Sequence, residues 1–151
     1  TQCWRFIVVR NSDTKGKIAD TLTKIYIDDV WIENAAALAI RQAPVLIVIC
    51  AELSQAGYGP ESVPATDKSD YWYMFDIGLA MENLTLTACS MGLGTVIIGA
   101  FDSGKVSRIL GVPDGFTVVT MTPLGFPDQQ GYISPRKELS SVLYREKYGT
   151  R

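Results

Sequence analysis

The chain has 151 residues, a length that suits one domain able to bury roughly 70% of the surface its unfolded form exposes. Hydrophobic residues make up 47% and net charge is only -2, so the chain as a whole is not a nucleic-acid binder, and any bound anion needs a local positive cluster. Histidine is absent, which excludes Ser-His-Asp and Cys-His nucleophilic sites and imidazole-based zinc sites; a cofactor is expected to carry any chemistry.

Residues 4 to 10 alternate aromatic and β-branched side chains and predict a strand. Asn11-Ser12-Asp13 offers an N-cap for a helix from about Asp13 to Lys24. Residues 28 to 41, with Ala35-Ala36-Ala37-Leu38-Ala39, predict a second helix stopped by Pro44. The apolar run 43 to 51 that follows reads as a buried strand, far shorter than the roughly 20 residues of a membrane span. No membrane partner is expected, and no signal-peptide pattern opens the chain. Cys3, Cys50 and Cys89 are odd in number and widely spaced, which suits free thiols in a reducing cytosol and hence a cytoplasmic location.

Residues 54 to 70 are rich in Gly, Pro, Ser and Asp and read as a mobile loop. The strongest helical segment is Tyr71 to Met91, closed by Gly92. Met74, Ile77, Gly78, Met81, Leu84, Thr85 and Ala88 share one face, yet Trp72, Phe75, Leu79, Leu86 and Cys89 make the others apolar too. Such a helix is expected to be buried all round, either by a partner chain or by its own domain. A short β-rich run, Gly94 to Gly99, precedes a helix from Lys105 to Leu110 capped by Asp102 or Ser103 and ended by Gly111. Phe116 to Leu124 predicts another strand, with Pro123 marking its end or a sheet edge. The tail, Ser134 to Tyr148, is amphipathic and basic at Arg136, Lys137, Arg145 and Lys147. No repeat or domain boundary is visible, and the layout is α+β around one sheet.

Two glycine patterns suggest nucleotides. Gly92-Leu93-Gly94 lacks the third glycine of a dinucleotide fingerprint and follows a helix rather than a strand. Gly99 to Val106 has the G-x-x-x-x-G-K spacing of a P-loop, but Val106 replaces the Ser/Thr that would ligate Mg²⁺ and Phe101 is bulky for a phosphate loop.

Six stretches taken together resemble the nitroreductase family of FMN-dependent oxidoreductases. They are Gln2 to Val9, Ala43 to Val48, Met91 to Asp102, Ile109 to Pro113, Pro123 to Pro127 and Arg136-Lys137, in the family's order. The resemblance implies a mixed, mainly antiparallel sheet flanked by helices, with the long central helix packed in a homodimer. It implies FMN bound between the chains and NADH or NADPH as co-substrate. Electrons would pass by a ping-pong mechanism to a small-molecule acceptor such as a nitroaromatic or quinone.

By the same resemblance, the backbone amides of Gly99 and Ala100 would meet flavin N5 and O4, with Ile97 and Ile98 as the adjoining wall. Gln2 would contact the ring, Trp4 would buttress that segment, and Arg136 and Lys137 would take the FMN phosphate. No side-chain acid or base is then required. Tyr58, Tyr71 and Trp72 are candidates for the acceptor pocket. The family's usual basic N-terminal helix is not in this sequence, which begins at Thr1, and Cys3 stands where the family usually has Pro. That thiol is either mildly reactive or a neutral substitution. Two other functions fit parts of the pattern: a non-catalytic flavin-binding or sensory protein, and a nucleotide hydrolase or kinase using the Gly99-to-Lys105 loop.

Overall fold

The computed structural model describes residues 1–128, 131 and 133–150. Its main sheet has the order β1 (Trp4–Val9), β4 (Val45–Glu52), β6 (Phe116–Gly125), β5 (Gly94–Thr95), and β2 (Ile25–Ile27) pairs with β3 (Val30–Ile32) in a separate hairpin. Every ladder among the described residues is antiparallel, so the parallel component of the expected mixed sheet is not found there.

Strand β4 is apolar on both faces because both faces are covered. Leu46, Val48 and Cys50 enter a core with Ile18 and Ala19 of α1 (Ser12–Ala19), Ile40 of α2 (Ala36–Gln42), Val106 of α4 (Ser103–Leu110), and Val118 and Met121 of β6. Ile49 and Ala51 face the other way, onto Ile77 and Met81 of α3 (Ser69–Ser90), with Trp4, Ile47, Tyr73 and Val119 around them. Helices α1, α2 and α4 thus form one layer and α3 the other. Trp4, expected to buttress the Gln2 segment, packs partly buried against this second cluster.

Local chemistry sets the element ends. Asn11 Oδ1 accepts from the Thr14 amide at 2.9 Å and opens α1. That helix stops at Ala19 rather than Lys24, because Leu22 pairs with Phe101 instead of continuing the spiral. The helix expected over 28 to 41 is a hairpin followed by a shorter helix. Ile-Tyr-Ile and Val-Trp-Ile favour strands, and Asp28 and Asp29 take positive φ of 49° and 63°, which turns the chain between them. Asp102 Oδ1 accepts from the Lys105 amide at 2.9 Å and caps α4, and Gly111 ends it at φ 67°.

Pro123 neither ends β6 nor lies at an edge. It pairs with Leu46 inside the sheet, and β5 meets β6 only at Leu124 and Gly125, one residue beyond the missing amide. The amphipathic tail yields only a short helix, α5 (Leu139–Val142).

Of the two covers expected for helix α3, a partner chain or its own domain, the domain supplies only part. Within this chain only Ser69, Ile77, Met81 and Ala88 of its residues are buried. Tyr71, Met74, Phe75, Leu79 and Leu86 remain 50–73% exposed, so the chain's own layers do not cover the helix all round. No helix among the described residues is long and apolar enough to cross a membrane.

The tightest glycine contact is at the end of β6. A Cβ on Gly125 would sit 2.8 Å from Cδ of Pro44, the ring that ends α2, whereas one on Gly99 would meet nothing within 4 Å. Gly125→Ala is therefore expected to lower stability by about 1–3 kcal/mol. Gly99→Ala should stay within about 0.5 kcal/mol of the parent. Urea unfolding midpoints of the two variants check this contrast.

Candidate flavin site

The stretch from Ile98 to Asp102 is held on two sides by backbone pairing. Ile98 and Met121 exchange amide-carbonyl bonds at 2.9 and 3.1 Å, and the Thr120 hydroxyl also donates to Ile98 O at 3.0 Å. On the other side, the Thr23 amide donates to Ala100 O at 3.0 Å and the Asp102 amide to Thr21 O at 2.9 Å. The Gly99 carbonyl accepts from the Phe101 amide at 3.2 Å, closing a tight turn.

The carbonyls of Gly99 and Ala100 are thereby used, but no hydrogen bond among the described residues engages their amides. Two adjacent N–H groups on a pinned turn are left to the surroundings. Gly99 is exposed, with open space where a side chain would stand. Ile98 is buried beneath the turn and Ile97 is 55% exposed beside it. Two adjacent donors without a partner suit the edge of a flat heterocycle bearing acceptor atoms, such as the ring end of FMN.

The other expected contacts are not gathered at this turn. Gln2 precedes β1, the edge strand on the far side of β4, and two strand spacings, roughly 10 Å, separate β1 from β6. Its carbonyl accepts from Arg5 Nη1 at 3.0 Å. Arg136 and Lys137 are exposed, and Arg136 Nη1 donates to Ser134 O at 3.0 Å. No hydrogen bond or ion pair among the described residues ties them to the Gly99 turn.

Tyr58, Tyr71 and Trp72 are brought together at the start of α3. The Tyr58 hydroxyl donates to Asp70 Oδ1, and a Cβ on Gly57 would lie 3.0 Å from that of Trp72. Trp72 stacks obliquely on Phe75 with ring centroids 5.5 Å apart, and Tyr71 is 73% exposed. Buried Ser69 fastens the preceding loop through its hydroxyl to Gly57 O at 2.5 Å and Thr66 O at 2.7 Å. The stretch read as a mobile loop is docked on α3, and Ser69 and Asp70, which do this, were missed.

The Gly99-to-Lys105 loop does not form a phosphate cradle. Asp102 Oδ1 takes the amide at the head of α4, and Lys105 Nζ lies 3.4 Å from Asp102 Oδ2. No group of His, Cys, Asp or Glu among the described residues is arranged to hold a metal.

Comparison with known proteins decides the family. The profile of the nitroreductase family matches residues 1–126. The chain belongs to the nitroreductase family. Arg136 and Lys137 lie beyond the matched residues. A solved nitroreductase family protein from Clostridium novyi NT is 31% identical and superposes with a TM-score of 0.68, covering 99% of this chain and 73% of that one. The NADPH:FMN oxidoreductase of Vibrio harveyi, solved with NAD+, shares the fold with a TM-score of 0.77 at 22% identity, over 99% of this chain and 61% of its own. An NADH dehydrogenase of Thermus thermophilus is 26% identical, with 94% of this chain and 75% of the relative covered. The chain spans only 55% of the length of another nitroreductase relative, from Methanothermobacter thermautotrophicus.

Cys3, the departure from the family's Pro, is 1% exposed with Sγ 3.8 Å from Asp76 Oδ2. Burial pushes its thiol pKa up, and the nearby Asp76 carboxylate pushes it further by charge and by accepting the thiol proton. Thiolate character is thus suppressed, which makes Cys3 a packed small residue rather than a reactive one. In the folded protein, alkylation of Cys3 is expected to begin only above the pH at which a free thiol reacts. Asp76→Asn should move that onset down, read by mass-spectrometric mapping of iodoacetamide adducts.

Proposed function

We propose that this nitroreductase family member binds FMN against the Gly99 and Ala100 amides and passes electrons from NADH or NADPH to a small organic acceptor. Nitroaromatics and quinones are the acceptor classes, in alternating ping-pong half-reactions. The observation that carries the reading is the pair of adjacent amides on a pinned turn that no hydrogen bond among the described residues engages. Bound FMN would supply the two-electron carrier.

The chain's own groups then bind and orient. The amides of Gly99 and Ala100 hold the ring edge and favour negative charge developing there, because donors fixed beforehand need no reorganisation. Ile97 and Ile98 wall off water beside it. Gln2 adds a ring contact, and Arg136 and Lys137 neutralise the phosphate, a task that the net-acidic chain can meet only with such a cluster. Tyr58, Tyr71 and Trp72 line the acceptor side.

Because no hydrogen bond or ion pair among the described residues ties Gln2 or the basic pair to the Gly99 turn, the reading calls for a homodimer that assembles the site between two copies. The exposed apolar side chains of α3 are the surface on which a second copy would sit. The free thiols suit a reducing compartment, and the cytoplasm is the location that we propose.

Purified protein reconstituted with FMN should be yellow, bleach with NADH or NADPH, and recover its colour with a quinone. Failure to take up FMN refutes the reading, and flavin uptake without steady-state NAD(P)H oxidation leaves a flavin-binding protein with no turnover. Gly99→Pro removes one donor and should cost flavin binding about 1–3 kcal/mol, measured by fluorescence titration. Arg136→Ala should weaken the same titration and flatten its salt dependence.

The dimer has its own check. Leu79→Glu puts a charge on the open face of α3, and the expected result is a halved mass by light scattering together with loss of bound flavin.

A further inference from the structure

The β2–β3 hairpin is rooted on the same turn that presents the two amides. Asp102 donates to Thr21 O, Leu22 pairs with Phe101, and Thr23 donates to Ala100 O, so three successive residues are laced to the turn. The hairpin starts at the next residue, where Lys24 meets Glu33 at 2.9 Å across its base.

Beyond that base the hairpin packs substantially on no other element among the described residues. Tyr26, Ile27, Val30, Trp31 and Ile32 are 42–64% exposed. A two-stranded hairpin with apolar side chains in water is marginal by itself. Here its aromatic pair is nevertheless held in a set arrangement. Tyr26 and Trp31 are direct cross-strand partners with ring centroids 5.1 Å apart, and the Tyr26 hydroxyl donates to Asp29 Oδ1 at 3.3 Å. Tyr26 lies three Cα steps beyond Thr23, which limits their Cα distance to about 11 Å. An ordered aromatic surface therefore stands within a short reach of the flavin-facing amides.

We infer that the β2–β3 hairpin is the acceptor-selecting wall of the site, with Trp31, backed by Tyr26, as the side chain that stacks on planar aromatic acceptors. The inference rests on the flavin reading above and adds to it the element that discriminates among substrates. Planar quinones and nitroaromatics gain from stacking on an indole, whereas a compact inorganic oxidant does not.

The test uses FMN-loaded protein at saturating NADH, with menadione as the planar acceptor and ferricyanide as the compact one. Trp31→Ala should raise KM for menadione by about tenfold, the size of one lost aromatic contact. Its flavin content, its rate of bleaching by NADH and its kinetics with ferricyanide should match the parent, and Trp31→Phe should restore most of the menadione KM. An unchanged menadione KM, an equal loss with both acceptors, or a loss of flavin or of the dimer in Trp31→Ala overturns the proposal. A parent protein that takes up no FMN removes the flavin reading and this proposal together. A flavin-loaded parent with an indifferent Trp31 removes only the proposal.

Discussion

Backbone pairing around residues 98 to 102 is the constraint from which the rest of the site follows. The Ile98–Met121 exchange fastens the turn to the sheet, and the Thr23–Ala100 and Asp102–Thr21 bonds fasten it to the segment that follows α1. Between these anchors the carbonyls of Gly99 and Ala100 are consumed while their amides are not. A buried amide without a partner is costly, but an amide at an open surface loses nothing while it waits for a ligand acceptor. The turn is rigid because its carbonyls are engaged and receptive because its amides are not.

The second constraint is that strand β4 has to be covered on both faces. Its alternate residues divide between the α1-α2-α4 layer and α3, and this division leaves α3 with an outer surface that the chain does not cover. The chain's two halves of the proposed site, the Gly99 turn on one side of the sheet order and Gln2 on the other, are separated by the same architecture. An uncovered apolar helix and a divided site call for the same remedy, a second copy, and this is why we treat the dimer as part of the catalytic reading.

Much of this was legible in the residues. The two-sided apolar run of β4, the Asn11 and Asp102 caps, the C-terminal glycines of α3 and α4 and the small residues at the Gly99 turn are local features with local causes. What was not legible depended on partners distant in sequence. Leu22 ends α1 by pairing with Phe101, and nothing near residue 22 announces that. The Asp28-Asp29 turn was masked by the alanine-rich stretch after it, whose helical propensity drew the assignment across the hairpin. The docking of residues 54 to 68 was hidden because Gly, Ser and Asp mark a loop without saying whether Ser69 and Asp70 will fasten it. The amides of Gly99 and Ala100 owe their availability to Thr21, Thr23 and Met121, none of which stands out in the sequence.

Charge near the turn also orients the ligand. The head of α4 lies two residues from Ala100, and a helix N-terminus is ordinarily a good place for a phosphate. Here Asp102 already occupies it. The Lys105 backbone amide, first among the causes, holds the Asp102 carboxyl below its usual range, so the capping carboxylate is ionised at neutral pH, with Lys105 Nζ 3.4 Å from its second oxygen. A phosphate placed there would face that carboxylate and find the capping amide taken. In the proposed reading, a ligand with a neutral ring and an anionic tail would lie with its ring at Gly99 and its tail directed away from the capped end of α4. Holding that tail is the task the proposed reading gives to a separate basic pair, Arg136 and Lys137.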